Sequence, residues 1–167
     1  MKLAALVFSL CICRAGAQDL RQTASARAEY YAHVYSVPPE FVKAIIDVES
    51  AWQPDAISTK GAVGIMQLTV PAAFTFGVTN RFRIDENIRG GVAYLSRLMR
   101  LFDGELRLVA AAYYAGESRI RKTGLNCADP DIYRYVAAVE RFYRKRRLAA
   151  NGGGDAKGAE QGWGNSK

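Results

Sequence analysis

A mainly α-helical single domain is what this sequence predicts, on three observations. Apolar residues recur at three- and four-residue spacing along most of the chain, loops rich in Pro and Gly separate those runs, and no stretch alternates polar with apolar as a half-buried strand would. At 167 residues the chain has the length of about one domain, enough to bury a core without metals or disulfides.

The first 17 residues read as a secretory signal peptide: Lys2, an apolar stretch from Leu3 to Cys13, then the small-x-small string Ala15-Gly16-Ala17. That stretch is too short to span a bilayer, and the string before Cys13 lacks the small residues of a lipoprotein site, so no stable membrane insertion is expected after cleavage. Residues 18–150 form the predicted domain. Its first helix covers roughly Leu20 to Tyr35, and Pro38-Pro39 opens a second, FVKAIIDVES, because proline is tolerated in a first turn. A loop follows from Trp52 to Ala62, and a new helix opens near Pro71. Asp85 is placed as the cap of a long helix whose buried stripe is Ile88, Val92, Leu95, Leu98, Met99 and Phe102, with Gly104 as the stop. Leu106 to Ala115 reads as a short central helix ended by Gly116. Asp129 caps and Pro130 opens the last helix, with Ile132, Tyr135, Val136, Val139 and Phe142 inward. The tail 151–167, NGGGDAKGAEQGWGNSK, is too Gly-rich to offset the entropy of ordering and is expected to be disordered.

Glu49 breaks the pattern of the second helix. Phe41, Ile45, Val48 and Glu49 follow i, i+4, i+7, i+8, so the acid shares the apolar side while Glu40, Lys43 and Asp47 take the other. Asp47 is therefore read as solvated surface and Glu49 as inward. A carboxyl held against apolar side chains has its charged form disfavoured, so it keeps a donatable proton near neutral pH, as a general acid requires. A structural ion pair or cap would also account for a buried Glu.

The remaining composition mostly excludes. With the leader removed, Cys127 is the only cysteine and no internal disulfide is possible. His33, the only histidine, stands among tyrosines without a partner, which leaves no Cys–His nucleophile, no ordinary zinc site and no metal; no glycine loop cradles a phosphate, and no cofactor is expected. The formal charge is +7, and +5 once Lys2 and Arg14 leave with the leader. Outside the cytoplasm that charge favours cell-wall polymers and membrane surfaces over nucleic acid. The run Arg141 to Arg147 ends a helix, where cations complement the dipole.

Two further strings point to a ligand groove. GAVGIMQL places glycines before Met66 and Gln67, letting backbone approach a ligand, and AYYAG sets Tyr113 and Tyr114 at a helix end, where the pair suits a platform for a sugar face and either one alone equally suits core packing. Taken in order with Glu49-Ser50 and Tyr135-Val136, these strings resemble the four motifs of the soluble lytic transglycosylase family over about residues 28 to 143.

The resemblance implies a goose-type lysozyme-like fold, and cleavage of the β-1,4 bond between N-acetylmuramic acid and N-acetylglucosamine in peptidoglycan glycan strands. In that chemistry one Glu protonates the leaving oxygen, then takes a proton as the sugar's C6 hydroxyl attacks the anomeric carbon, giving a 1,6-anhydro end. It further implies Glu49 as acid/base, Ser50 as a polar neighbour near the sugar, Met66 and Gln67 in the groove, Tyr113 as an orienting aromatic and Tyr135 as a hydroxyl donor to Glu49. Retaining and inverting glycosidases need a second carboxylate, and neither Asp47 nor Asp55 stands out as one. The chain departs from the family where Asn follows the motif tyrosine: Tyr114 stands there, and a phenol cannot copy an amide's paired donor and acceptor.

A catalytic domain with little added resembles the small periplasmic or secreted transglycosylases that open the wall for secretion or conjugation machinery, whose envelope components would be its partners. A monomer is expected. A hydrolytic goose-type lysozyme and a non-catalytic wall-binding adaptor are the alternatives.

Overall fold

The computed structural model describes residues 3–126, 129–150, 152 and 163, with only the backbone of 3–17. Cys127 and most of the tail lie outside the described residues. Among those described, regular structure consists of seven helices: α1 Leu3–Val34, α2 Pro39–Glu49, α3 Val70–Thr75, α4 Ile84–Leu101, α5 Leu106–Ala115, α6 Glu117–Thr123 and α7 Pro130–Ala150. Among the described residues β structure is limited to two isolated bridges, Ile57 with Val63 and Val63 with Leu68.

α2 is the centre of the core. Pro38 and Pro39 start it as expected, and Phe41, Val42, Ala44, Ile45 and Ile46 are fully buried among α1 and α7. α1 presents Ala24, Ala28 and Ala32 to this core, a row at i, i+4, i+8 whose small side chains let the helix backbones approach closely. α1 is longer than the expected Leu20–Tyr35 helix, since its backbone continues back to Leu3 through the Ala15-Gly16-Ala17 string.

The buried stripe of α4 holds Ile88, Val92, Leu95 and Leu98 at full burial, with Met99 and Phe102 packed at its margin. Asp85 does not cap α4. The N-cap is Arg83, without a side-chain cap bond; Asp85 lies in the first turn, where its carboxylate accepts from the Tyr31 hydroxyl and pairs with Arg27. Glu86 does the tying instead. It accepts from the Asn80 and Thr79 amides and the Thr79 hydroxyl, and these bonds, the Asn80 amide foremost, hold its carboxyl down to about 2. α5 ends at Gly116, whose φ of 91° an L side chain would resist. α6, absent from the expected elements, follows at once. Asp129 caps α7 as expected, its carboxylate accepting from the Asp131 amide.

The tail departs from expectation at one residue. Trp163 is buried, its ring 6.3 Å from Phe41 and 5.9 Å from Tyr143. An indole carries the apolar area that the glycines of this segment lack.

The loop between α2 and α3 folds back on α4 around Asn87, which is 1% exposed. Its side-chain oxygen accepts from the Met66 amide at 2.8 Å, and its nitrogen donates to Val63 O at 2.9 Å and Arg81 O at 2.6 Å. Gly64 makes room for it: φ is 83°, and a Cβ there would stand 2.2 Å from Asn87 Nδ2. Asn87→Ala leaves the Met66 amide and the Arg81 oxygen unpaired, each costing about 1–3 kcal/mol, while Val63 O keeps its bond from the Leu68 amide. Chemical denaturation should show a loss of at least ~2 kcal/mol.

Candidate active site

Glu49 is the last residue of α2, and the turn beyond it is held in an unusual conformation. Ala51 and Trp52 both have positive φ, 51° and 73°, a region L residues occupy at a cost of about 1–2 kcal/mol each. Ser50 staples this turn: its hydroxyl donates to Ile65 O at 2.7 Å and accepts from the Trp52 amide at 3.1 Å. That hydroxyl, expected beside the sugar, is thus committed to joining the end of α2 to the glycine loop.

Asp47 departs from its expected place on a solvated face. Its side chain is only 9% exposed, because α7 crosses the face of α2 that spacing alone assigned to solvent. Arg146 donates to both its oxygens, at 2.6 and 2.9 Å, and the Trp52 indole donates at 2.7 Å. Arg21 and Arg146 each stand over the same indole, 5.3 and 5.4 Å from its centroid. The basic run at the end of α7 therefore does more than complement a helix dipole: Arg146 fixes the turn beside Glu49.

Glu49 itself is largely buried, and burial pushes its carboxyl from 4.5 up to about 7, against the smaller opposing effect of a hydrogen bond from Tyr135. The Tyr135 hydroxyl donates to Glu49 Oε1 at 2.5 Å, from α7 to the end of α2 across 86 residues. Tyr113 approaches from α5. Its hydroxyl donates to Met66 O at 2.8 Å, and burial first, then the charge of Glu49, holds its proton on well above the usual phenol range. Burial does the same to Tyr135.

Met66 differs from its expected place. Its side chain is fully buried beneath Gly91, where a Cβ would meet its sulfur at 2.5 Å, so only its backbone oxygen serves the site, as anchor for Tyr113. Gln67, at φ 49°, donates from Nε2 to Ala56 O and Gly64 O and turns into a cleft of about 480 Å³. Phe76, Tyr94, Tyr113, Tyr114 and Glu117 also line that cleft, with Arg97 paired to Glu117 through two bonds of 2.8 and 2.9 Å. Phe76, Tyr94 and Tyr113 form a continuous row of rings 5.2–5.3 Å apart. Glu49 is not a lining residue of the cleft. Tyr113 and Tyr114 connect the two, the first through the field of Glu49 and the second through its stack on Tyr135.

Asn87, Tyr94, Phe76 and Arg146 escaped sequence reasoning. Asn87 had a legible signal, a polar residue in the apolar row Ile84, Ile88, Gly91, Val92, Leu95, the same anomaly that marked Glu49. Arg146 had none, since its partner lies 99 residues away. Among the described residues no group of three or more His, Cys, Asp or Glu side chains could hold a metal ion.

A helical, lysozyme-like domain with one proton-holding glutamate beside an aromatic cleft is thus what fold and site define. The profile of the Transglycosylase SLT domain family matches residues 27–136, and the chain belongs to that family. Curated relatives include the membrane-bound lytic murein transglycosylase F of Pseudoalteromonas translucida, 36% identical over 121 residues, covering 63% of this chain and 26% of that protein. The protein of the same name from Desulfosudis oleivorans is 39% identical over 122 residues, covering 67% and 27%. The chain spans about a quarter of the length of these relatives. Among solved structures, an inactive Glu-to-Gln mutant of the lytic transglycosylase Slt from Pseudomonas aeruginosa superposes with a TM-score of 0.67 at 28% identity, over 75% of this chain and 24% of that one. The soluble lytic transglycosylase of Escherichia coli shares the fold with the same TM-score, 0.67, at 23% identity, over 75% and 24%.

The raised carboxyl makes a prediction about stability. Between the unfolded value of 4.5 and the folded value of about 7, the folded chain binds the extra proton, so stability falls as pH rises through that window. Above pH 7 the cost levels off at roughly 3 kcal/mol or less. Glu49→Gln removes it, so denaturation curves should show the variant gaining on the parent between about pH 4 and 8, with little difference in slope outside that range.

Proposed function

We propose that residues 18–150 form the catalytic domain of a peptidoglycan lytic transglycosylase, preceded by a leader at 1–17. It cleaves the bond between N-acetylmuramic acid and N-acetylglucosamine and leaves 1,6-anhydro-N-acetylmuramic acid ends. The observation that carries this reading is the single glutamate whose carboxyl sits near 7 under the hydroxyl of Tyr135. At that value Glu49 holds a proton for the glycosidic oxygen and, once it has given the proton up, is basic enough to take one from the C6 hydroxyl as O6 closes on the anomeric carbon. The proton thus returns to the enzyme, and no water is consumed. Tyr135 supports the carboxylate between the two steps by donating to it.

Several features agree. Among the described residues no second carboxylate contributes to the shift of Glu49, and Asp47 is engaged by Arg146 and Trp52. The solved Slt relative is inactive with a single Glu-to-Gln change, and the curated relatives carry the name lytic murein transglycosylase. Gln67, Tyr113 and Tyr114 are the groups we assign to the glycan, through amide bonding and ring stacking.

The charge of +5 that remains without the leader suits a polyanionic wall. Action in the periplasm or outside the cell follows from that substrate, and among the described residues no helix is long and apolar enough to cross a membrane. We assign the chain, on the resemblance of its sequence, to local wall opening for a secretion or conjugation channel. Loss of channel assembly in cells lacking the protein, restored by the parent chain but not by Glu49→Gln, is the expected result.

Glu49→Gln keeps shape but has no transferable proton, so cleavage of purified sacculi should fall by at least ~10²–10⁴-fold with the fold intact. Digestion in heavy-oxygen water separates the mechanism from hydrolysis. Mass spectra should show anhydro-muropeptides free of solvent oxygen, whereas solvent-labelled reducing ends as the main product would move the reading to a goose-type hydrolase. A folded parent chain that binds sacculi and cleaves nothing would be an adaptor.

A further inference from the structure

Tyr114 occupies the motif position where the family has Asn, and its surroundings show what a ring does there. It is 42% exposed on the cleft side, and its ring lies 4.7 Å from that of Tyr135 at an interplanar angle of 25°, a near-parallel stack. Tyr135 beneath it is 8% exposed and makes the 2.5 Å bond to Glu49. Among the described residues the Tyr114 hydroxyl makes no hydrogen bond, so the contact belongs to the ring.

We propose that Tyr114 is a positioning residue for Glu49: its ring clamps Tyr135 in the orientation that reaches the carboxyl and closes the cleft side of that hydrogen bond to water. An amide cannot do this. It lacks the area to cover a phenol and would draw water to the same place. One face of Tyr114 is taken by Tyr135, so a sugar could meet only its other face or its edge, and the clamp is in place before any glycan arrives. The inference rests on the reading of Glu49 as the reacting acid.

The consequence is electrical. Burial is the larger cause of the raised Glu49 carboxyl and the Tyr135 bond the smaller, opposing one. Water admitted through a missing Tyr114 therefore favours the carboxylate and brings its value down. The ionisable groups facing Glu49 are Tyr135 of α7 and Tyr113 of α5, both held protonated well above the usual range, so neither titrates in the same window.

The test is a ¹³C NMR titration of side-chain carboxyls in the whole chain, with the Glu49 resonance identified by its loss in Glu49→Gln. Tyr114→Asn should lower the Glu49 midpoint by about half a pH unit or more, and Tyr114→Phe should restore the parent midpoint. On sacculi, Tyr114→Asn should lower kcat by ~10-fold beyond any effect on KM, and Tyr114→Phe should recover kcat. Tyr114→Leu repeats the comparison if Asn disturbs folding. A midpoint unmoved in both Asn and Leu variants overturns the clamp, as does a loss confined to KM, which would make Tyr114 a sugar contact only. The titration needs no turnover, so a failure of the transglycosylase reading would leave its result standing.

Discussion

One hydrogen bond organises this molecule: Tyr135 to Glu49, the last helix reaching the end of the second. Burying a carboxyl is unfavourable, and a fold keeps one only where neighbours hold it in place. Here α5 and α7 bring Tyr113 and Tyr135 against the acid, and among the described residues the Tyr135 phenol is the one donor that tolerates the proton's departure. The balance matters more than either contribution. More burial would freeze the acid neutral, and more donors would leave an ordinary carboxylate with nothing to give.

The turn after Glu49 shows how the position is maintained. Two residues in left-handed backbone conformations cannot persist unless the structure around them is over-determined. Ser50, the Trp52 indole and the Asp47–Arg146 pair do that from three directions. The turn is tied to the glycine loop by Ser50 and to α7 by Asp47, so the segments that build the site share anchors. Asn87 and Gly64 extend the same frame to α4, and the Met66 backbone passes it to Tyr113.

The sequence was most readable where physics is local. Helix starts at Pro39 and Pro130, the stop at Gly116 and the core stripe of α4 all follow from caps, proline geometry and 3.6-residue periodicity, whereas α4 ends at Leu101, before the expected stop at Gly104, with Asp103 taking the left-handed turn at φ 50°. The inward Glu49 was readable too, since a charge in an apolar row is itself a local anomaly. Asp47 and Arg146 were not, because whether a polar face meets water or another helix depends on how α7 crosses α2. Met66 misled for the opposite reason: a motif residue suggests a ligand contact, while its side chain fills the space against Gly91. Trp163 stands apart, one aromatic docked in a segment whose composition spoke only for disorder.

The distance in sequence between the two halves of the central bond bears on how the protein is made. Glu49 leaves the ribosome 86 residues before Tyr135, and Asp47 precedes Arg146 by 99. Contacts of such separation form late, and chains fold from the N-terminus as they emerge. Until α7 docks, Glu49 lacks the Tyr135 hydroxyl and whatever share of its burial α7 provides, the two influences that set its carboxyl in the folded chain. The raised value of the carboxyl therefore depends on the last helix, and a product truncated before α7 carries Glu49 without the Tyr135 bond.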